Sequence, residues 1–140
     1  MNNSEISLPR KLTNQLLHLA QLSPDTEVCG LIGADSTGMP ASCYPVENSA
    51  ATPETRFLLD ASQQIEAMRQ IRDKGETLFA IYHSHPHSPA LPSPTDIKEA
   101  SYPDVLHLII SLNTKGVLEL RGFKIAGQSA EELGLNLIEM

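Results

Sequence analysis

The alternation of apolar and polar positions divides the chain into amphipathic helices and short strands. Leu12, Leu16, Leu17, Leu19 and Ala20 recur at helical spacing, with Ser7 and Pro9 as start signals and Pro24 beyond the end, so residues 9–22 are predicted as a helix. Val28 to Ala34 is a short apolar run that predicts a buried strand. Ser36-Thr37-Gly38 predicts a turn into a partner strand over Ala41 to Val46, the two forming a hairpin. Beyond the polar stretch Glu47 to Glu54, Arg56 to Leu59 reads as a short strand. Asp60 then caps a second helix that carries Ile65, Met68 and Ile71 on its apolar side and stops at Gly75.

Three central strands are expected in the second half: Thr77 to His83, Val105 to Leu112 and Val117 to Phe123. The last two form a hairpin through Asn113-Thr114-Lys115-Gly116. Pro86, Pro89, Pro92 and Pro94 rule out regular structure after the first of these until a helix begins near Thr95. Leu133 to Met140 is expected to add an edge strand. No repeat or composition break divides the sequence, so residues 1–140 are expected to form one α+β domain, with a mostly antiparallel sheet flanked by helices.

Composition narrows the possible partners. With 140 residues, 41% of them hydrophobic, the chain can bury a core without disulfide support. Its net charge is −7 and its Lys and Arg residues form no stripe, so neither nucleic acid nor an anionic membrane surface is expected as a partner. Met1 to Arg10 lacks the pattern of a signal peptide and no apolar run reaches the length of a membrane span, which makes the cytoplasm the expected location. Cys29 and Cys43 give neither a disulfide framework nor a CxxC pair, and reduced thiols fit that compartment.

The chemistry concentrates at His83-Ser84-His85-Pro86 and, after the proline-rich segment, Ser93-Pro94-Thr95-Asp96. On a strand, side chains i and i+2 share a face, so His83 and His85 converge while Ser84 points away. Asp96, in the first turn of the following helix, is placed to return to the strand end. Two imidazoles and a carboxylate form a donor set suited to zinc, and three protein ligands leave a fourth position for water, the mark of a catalytic site. Hydrolysis of an amide also needs a base, for which Glu27, at the entrance of the Val28 to Ala34 strand, is the candidate. Ser93 is the candidate hydroxyl donor to the oxyanion.

Glu27, then His83-Ser84-His85, seven residues, Ser93, two residues and Asp96 together resemble the JAMM motif of the MPN-plus metalloprotease family, with every motif position matched. The resemblance extends to Glu27 through Gly33, to the Asn48 to Asp60 segment with Phe57, and to Val105 through Phe123. These are similar to small stand-alone bacterial members. Five such fixed positions would coincide by chance on the order of once in ten thousand such sequences or less often.

The resemblance implies a three-layer fold like that of cytidine deaminases, with a curved sheet between helices. It also implies one zinc ion held by His83, His85 and Asp96, with Glu27 as acid/base and Ser93 assisting. Larger relatives remove ubiquitin by means of inserted segments for which this chain has little room. The likeness is to bacterial peptidases that trim ubiquitin-like sulfur-carrier proteins after a C-terminal Gly-Gly, so such a carrier is the expected partner. A non-catalytic interaction module of the MPN type and a zinc amidase acting on small peptides are the alternatives.

Other candidates have plainer readings. His87 fits no ligand spacing and reads as a loop histidine, and His18 and His107 fall on helix and strand patterns that require no function. Cys29 lies in an apolar run where a thiol is inert. Ser84 and Ser88 lack a nucleophile-elbow pattern. Asp35, Asp60 and Asp104 suit turns and caps.

Overall fold

A computed structural model describes residues 5–100, 102, 104–113 and 118–139. The chain order is β1 (Glu5–Pro9), α1 (Arg10–Gln21), β2 (Cys29–Ala34), β3 (Pro40–Val46), α2 (Ala61–Asp73), β4 (Thr77–His85), α3 (Pro94–Glu99), β5 (Leu106–Ser111), β6 (Glu119–Ala126) and β7 (Ser129–Ile138). The seven strands form one mixed sheet in the order β1-β7-β6-β5-β4-β2-β3. The β1–β7 and β4–β5 pairs are parallel and the others antiparallel, as the expected mostly antiparallel α+β architecture requires.

Strand alternation sorts the core into layers on the two faces of the sheet. On one face Leu12, Leu16 and Ala20 of α1 pack on Ile32, Ala80, Tyr82, Leu106, Leu108 and Ile110. On the other, Ala67 and Ile71 of α2 cover Leu31, Tyr44, Val46 and Ile81, while Ile97 of α3 packs by Ile109, Phe123 and Ile125. Full burial of each large aliphatic side chain contributes about 1.5–3 kcal/mol, which makes these contacts the main stabilising term. Gly30 is required for the close approach of neighbouring groups. A Cβ there would lie 2.5 Å from both the Tyr44 carbonyl and the Tyr82 hydroxyl.

Several sequence expectations need correction. Ser7 and Pro9 belong to strand β1, which ends where α1 begins. The C-terminal strand is longer than expected and is not an edge, because β1 pairs outside it in parallel register. Arg56 to Leu59 forms no strand beyond a single bridge between Asn48 and Leu59. The Asn48 side chain instead accepts from the Leu58 amide and donates to the Arg56 carbonyl, taking the place of a strand ladder. On α2, Ile65 is 71% exposed, because 3.6 residues per turn set it about a third of a turn away from Ile71. Asp60 caps α2 as expected, its carboxylate accepting from the Gln63 amide. The Thr114 to Gly116 part of the expected hairpin turn, Val117 and Met140 lie outside the described residues; β5 and β6 pair antiparallel.

Candidate metal centre

The alternation along β4 turns Ala80 and Tyr82 toward α1 and sends Ile81, His83 and His85 to the opposite face. His83 and His85 are 1% and 2% exposed, and their Nε2 atoms lie 3.1 Å apart. The segment from Pro86 to Ser93 then returns the chain, and α3 delivers Asp96. Asp96 Oδ2 stands 3.1 Å from His83 Nε2 and 3.2 Å from His85 Nε2, closing a nearly equilateral triangle.

Local contacts fix each corner. His85 Nδ1 lies 2.7 Å from the Pro89 carbonyl, which can only accept, so Nδ1 carries a proton and Nε2 faces inward; burial lowers the ring's pKa, but the bonds to Asp96 and to the Pro89 carbonyl outweigh it and raise it. Ser111 holds the same loop by donating its hydroxyl to the Ser88 carbonyl. Asp96 is placed by a capping box: the Ser93 amide donates to Asp96 Oδ2 and the Asp96 amide to Ser93 Oγ, each at 2.9 Å. Burial raises the Asp96 pKa, but the hydrogen bonds from His83 and His85, together with the Ser93 amide, outweigh it and hold the carboxyl well below its usual range. Asp96 is therefore an anion.

Glu27 arrives from the other side. The antiparallel β2–β4 ladder pairs Cys29 with His83, so continuing it by two residues puts Glu27 opposite His85 and on the same face. The backbone there is clamped. The Glu27 amide donates to the Pro53 carbonyl at 2.7 Å, Asn48 Nδ2 donates to the Glu27 carbonyl, and the Val28 amide donates to Ser84 Oγ at 2.8 Å. Ser84 points away from the histidines, as strand alternation predicts, and uses its hydroxyl to hold the residue after Glu27. The Glu27 carboxylate is buried, with Oε1 lacking a hydrogen-bond partner among the described residues. Burial pushes its pKa up to about 8, with His85 lowering it and Asp96 raising it.

Donor chemistry tests the fit to a cation. Two imidazole Nε2 atoms and a carboxylate oxygen meet at 3.1–3.2 Å, held together either by imidazole protons donated to Asp96 or by a cation that takes their place. A tetrahedral zinc with bonds of ~2.0–2.1 Å spaces its ligands roughly 3.3 Å apart, so these donors fit. Glu27 also offers an oxygen, and one ligand atom each from Glu27, His83 and His85 lie within 4.8 Å of one another. The ionised Asp96 lies at ligand spacing, whereas Glu27 keeps its proton to higher pH and holds an unpartnered oxygen beside the triangle.

All five residues singled out from the sequence come together here, Ser93 through its bonds to Asp96. His87 is exposed and stands outside the cluster. The Cys29 thiol donates to the Val46 carbonyl, and burial followed by the nearby Glu27 pushes its pKa to about 12, so it is inert as expected. The sequence did not disclose the supporting contacts of Ser84, Asn48 and the Pro89 carbonyl. Phe57, whose ring stacks on His83 with centroids 4.3 Å apart, carried no signal for that contact beyond its place in the segment of family likeness.

A buried pair of imidazoles with one carboxylate, flanked by a second carboxylate free of hydrogen bonds on one oxygen, could hold a metal ion. Comparison with known proteins gives the family. The family model described as prokaryotic homologs of the JAB domain matches residues 9–122, and the chain belongs to this family. The CysO-cysteine peptidase of Mycobacterium tuberculosis (strain ATCC 25618 / H37Rv) is 31% identical over 129 residues, covering 91% of this chain and 88% of that protein. The desampylase of Haloferax volcanii is 34% identical over 116 residues, covering 79% and 84%. The solution structure of DSY2949 from Desulfitobacterium hafniense superposes with a TM-score of 0.85 at 30% identity, covering 96% of this chain and 93% of that one. No helix among the described residues is long and apolar enough to cross a membrane.

Proposed function

We propose that this chain is a zinc metallopeptidase that hydrolyses the peptide or isopeptide bond after the C-terminal Gly-Gly of a ubiquitin-like sulfur-carrier protein. The observation that carries the reading is the triangle of His83 Nε2, His85 Nε2 and Asp96 Oδ2 beside the unpartnered Oε1 of Glu27. The names of the relatives, a CysO-cysteine peptidase and a desampylase, support the substrate class. The whole chain acts as one catalytic domain, and its free thiols suit a reducing cytoplasm.

In this reading His83, His85 and Asp96 hold one zinc ion, which when bound supplies a Lewis acid for the scissile carbonyl and makes a water easier to deprotonate. Glu27 accepts the proton of the attacking water on its unpartnered oxygen and passes it to the departing amine. A pKa raised by burial suits the second half of that transfer, in which the carboxyl gives the proton back, while a cation bound beside it would lower that pKa and free the carboxylate for the first half. Ser93 Oγ already accepts from the Asp96 amide, and its hydroxyl hydrogen remains to be donated to the carbonyl oxygen as negative charge develops there. Burial of the histidines keeps bulk water from competing for these bonds.

The test is mass spectrometry of a carrier that ends in Gly-Gly and is extended by one residue, incubated with the zinc-loaded chain and with its Glu27→Ala variant. Release after the second glycine by the wild type alone is expected. Cleavage of short peptides without the folded carrier would favour the amidase alternative. Zinc binding with no cleavage of either substrate would overturn the peptidase reading in favour of an interaction module.

A further inference from the structure

Among the described residues, two buried ring nitrogens have no hydrogen-bond partner: Nδ1 of His83 and Nε2 of His107. Both histidines line one cavity of about 140 Å³, bounded also by Phe57, Gln64, Ile81 and Tyr102. In the parallel β4–β5 ladder His83 pairs with Ile109 and His107 with Ile81. The two imidazoles therefore leave the same face as diagonal neighbours, which stand ~7–8 Å apart at the backbone, close enough for one solvent molecule to join their rings.

Their protonation is complementary. With a metal on its Nε2, the His83 ring must carry its proton on Nδ1, which would then be a buried donor without an acceptor. Nε2 of His107 is unpartnered and the Tyr102 backbone carbonyl raises the ring's pKa as an acceptor does, which assigns the proton to Nδ1 and leaves Nε2 as a bare acceptor. Burial, followed by the neighbouring His83, pushes the His107 pKa down to about 4, so the ring is neutral at neutral pH. One donor and one acceptor thus face the same space. A water needs roughly 10–15 Å³ and two to four polar partners, which this cavity provides.

We infer that His107 is a positioning residue for the metal centre: through a water in this cavity its Nε2 accepts the hydrogen bond that His83 Nδ1–H sends out, locking the tautomer in which His83 Nε2 faces the metal. The inference rests on the reading of His83 as a zinc ligand. His85 meets the same need directly through the Pro89 carbonyl, so each histidine has its own outer partner. The loop and strand that provide these partners are unrelated in sequence.

The experiment is zinc affinity, measured by competition with a chromogenic chelator, for the full chain and its His107→Leu, His107→Met and His107→Gln variants, with thermal melting of each metal-free protein. The apolar replacements are expected to weaken zinc binding ~10–100-fold, the scale of a lost outer-shell partner. The metal-free Leu variant loses the bond to the Tyr102 carbonyl and leaves His83 Nδ1–H without its acceptor, so it should melt below wild type, and affinity is therefore compared at a temperature where every variant is folded. Gln, whose side-chain oxygen accepts, should restore affinity to within a few-fold of wild type.

Unchanged affinity in the Leu and Met variants would overturn the inference while leaving the zinc reading intact. Parallel loss of affinity and melting temperature, without rescue by Gln, would also overturn it and make His107 a packing residue. A wild-type chain that takes up no zinc would remove both the reading and the inference.

Discussion

Two carboxylates reach the end of β4 from opposite sides, and they arrive in opposite states. Asp96 comes on a capped helix, with a backbone amide and both imidazoles on its oxygen, and is held as an anion. Glu27 comes at the mouth of a strand whose backbone is fastened at three points, yet its side chain keeps an oxygen without a partner and holds its proton to about pH 8. The difference separates two tasks: a permanent charge suits a cation, and an easily exchanged proton suits acid–base work. Main-chain rigidity is common to both. Burial acts on both, and the hydrogen bonds on Asp96 together with the charge interaction with His83 outweigh it there alone.

The strongest way to break this contrast is Asp96→Asn, which keeps the shape and removes the charge. It is expected to lower zinc affinity by more than the ~10–100-fold typical of outer-shell losses, and so to abolish both metal uptake and turnover. Stoichiometric zinc in the purified Asn variant, measured by elemental analysis, would make Glu27 the ligand and reverse the assignment.

Glu27→Gln comes next. Zinc content should stay at one per chain while turnover falls ~10²–10⁴-fold, the range for a lost general base. The same variant carries a signature in the metal-free protein. Glu27 holds its proton up to about pH 8 when folded, against its ordinary value of 4.5, so between these values the folded state binds more protons than the unfolded state. Its contribution to stability is therefore present in full below pH 4.5 and lost as pH rises to about 8. Denaturant melts across that window should show this loss in the wild type and a shallower slope in the Gln variant; parallel slopes would mean that Glu27 is solvated.

The smallest expected effect belongs to Ser93→Ala. Loss of the cap should cost ~1 kcal/mol of stability, read from denaturant midpoints. If the hydroxyl also serves the oxyanion, turnover drops by ~10²–10³-fold beyond any change in zinc occupancy. Full turnover in a zinc-saturated Ala variant would reduce Ser93 to a cap.

What could be read from the sequence was whatever depends on neighbours in the chain. Helix α1, the β2–β3 hairpin and the Asp60 cap follow from residues within one or two turns of each other, and the structure places them within a residue or so of expectation. The grouping of the candidate ligands was legible for the same reason, because strand alternation presets His83 and His85, and Ser93 with Asp96 forms a four-residue cap motif. Strand β1 was hidden because its few residues make sense only against β7, more than a hundred positions away. Ser84 is 56 positions from the amide it holds, and Asn48 is 21 from the Glu27 carbonyl. Local patterning has no access to such contacts. His107 was passed over because a histidine on a strand pattern looks complete until its ring nitrogens are counted.

The prolines between β4 and α3 bear on the order in which the centre is built. Pro86, Pro89, Pro92 and Pro94 restrict the unfolded chain as well as the folded one, so this connector surrenders less freedom on folding than an ordinary loop of its length. Small zinc domains collapse without their ion, whereas here the sheet and three apolar clusters carry the framework. If the centre takes an ion as proposed, the cradle is expected to be finished before its guest arrives, so that the ion can be stripped and returned while the chain stays folded.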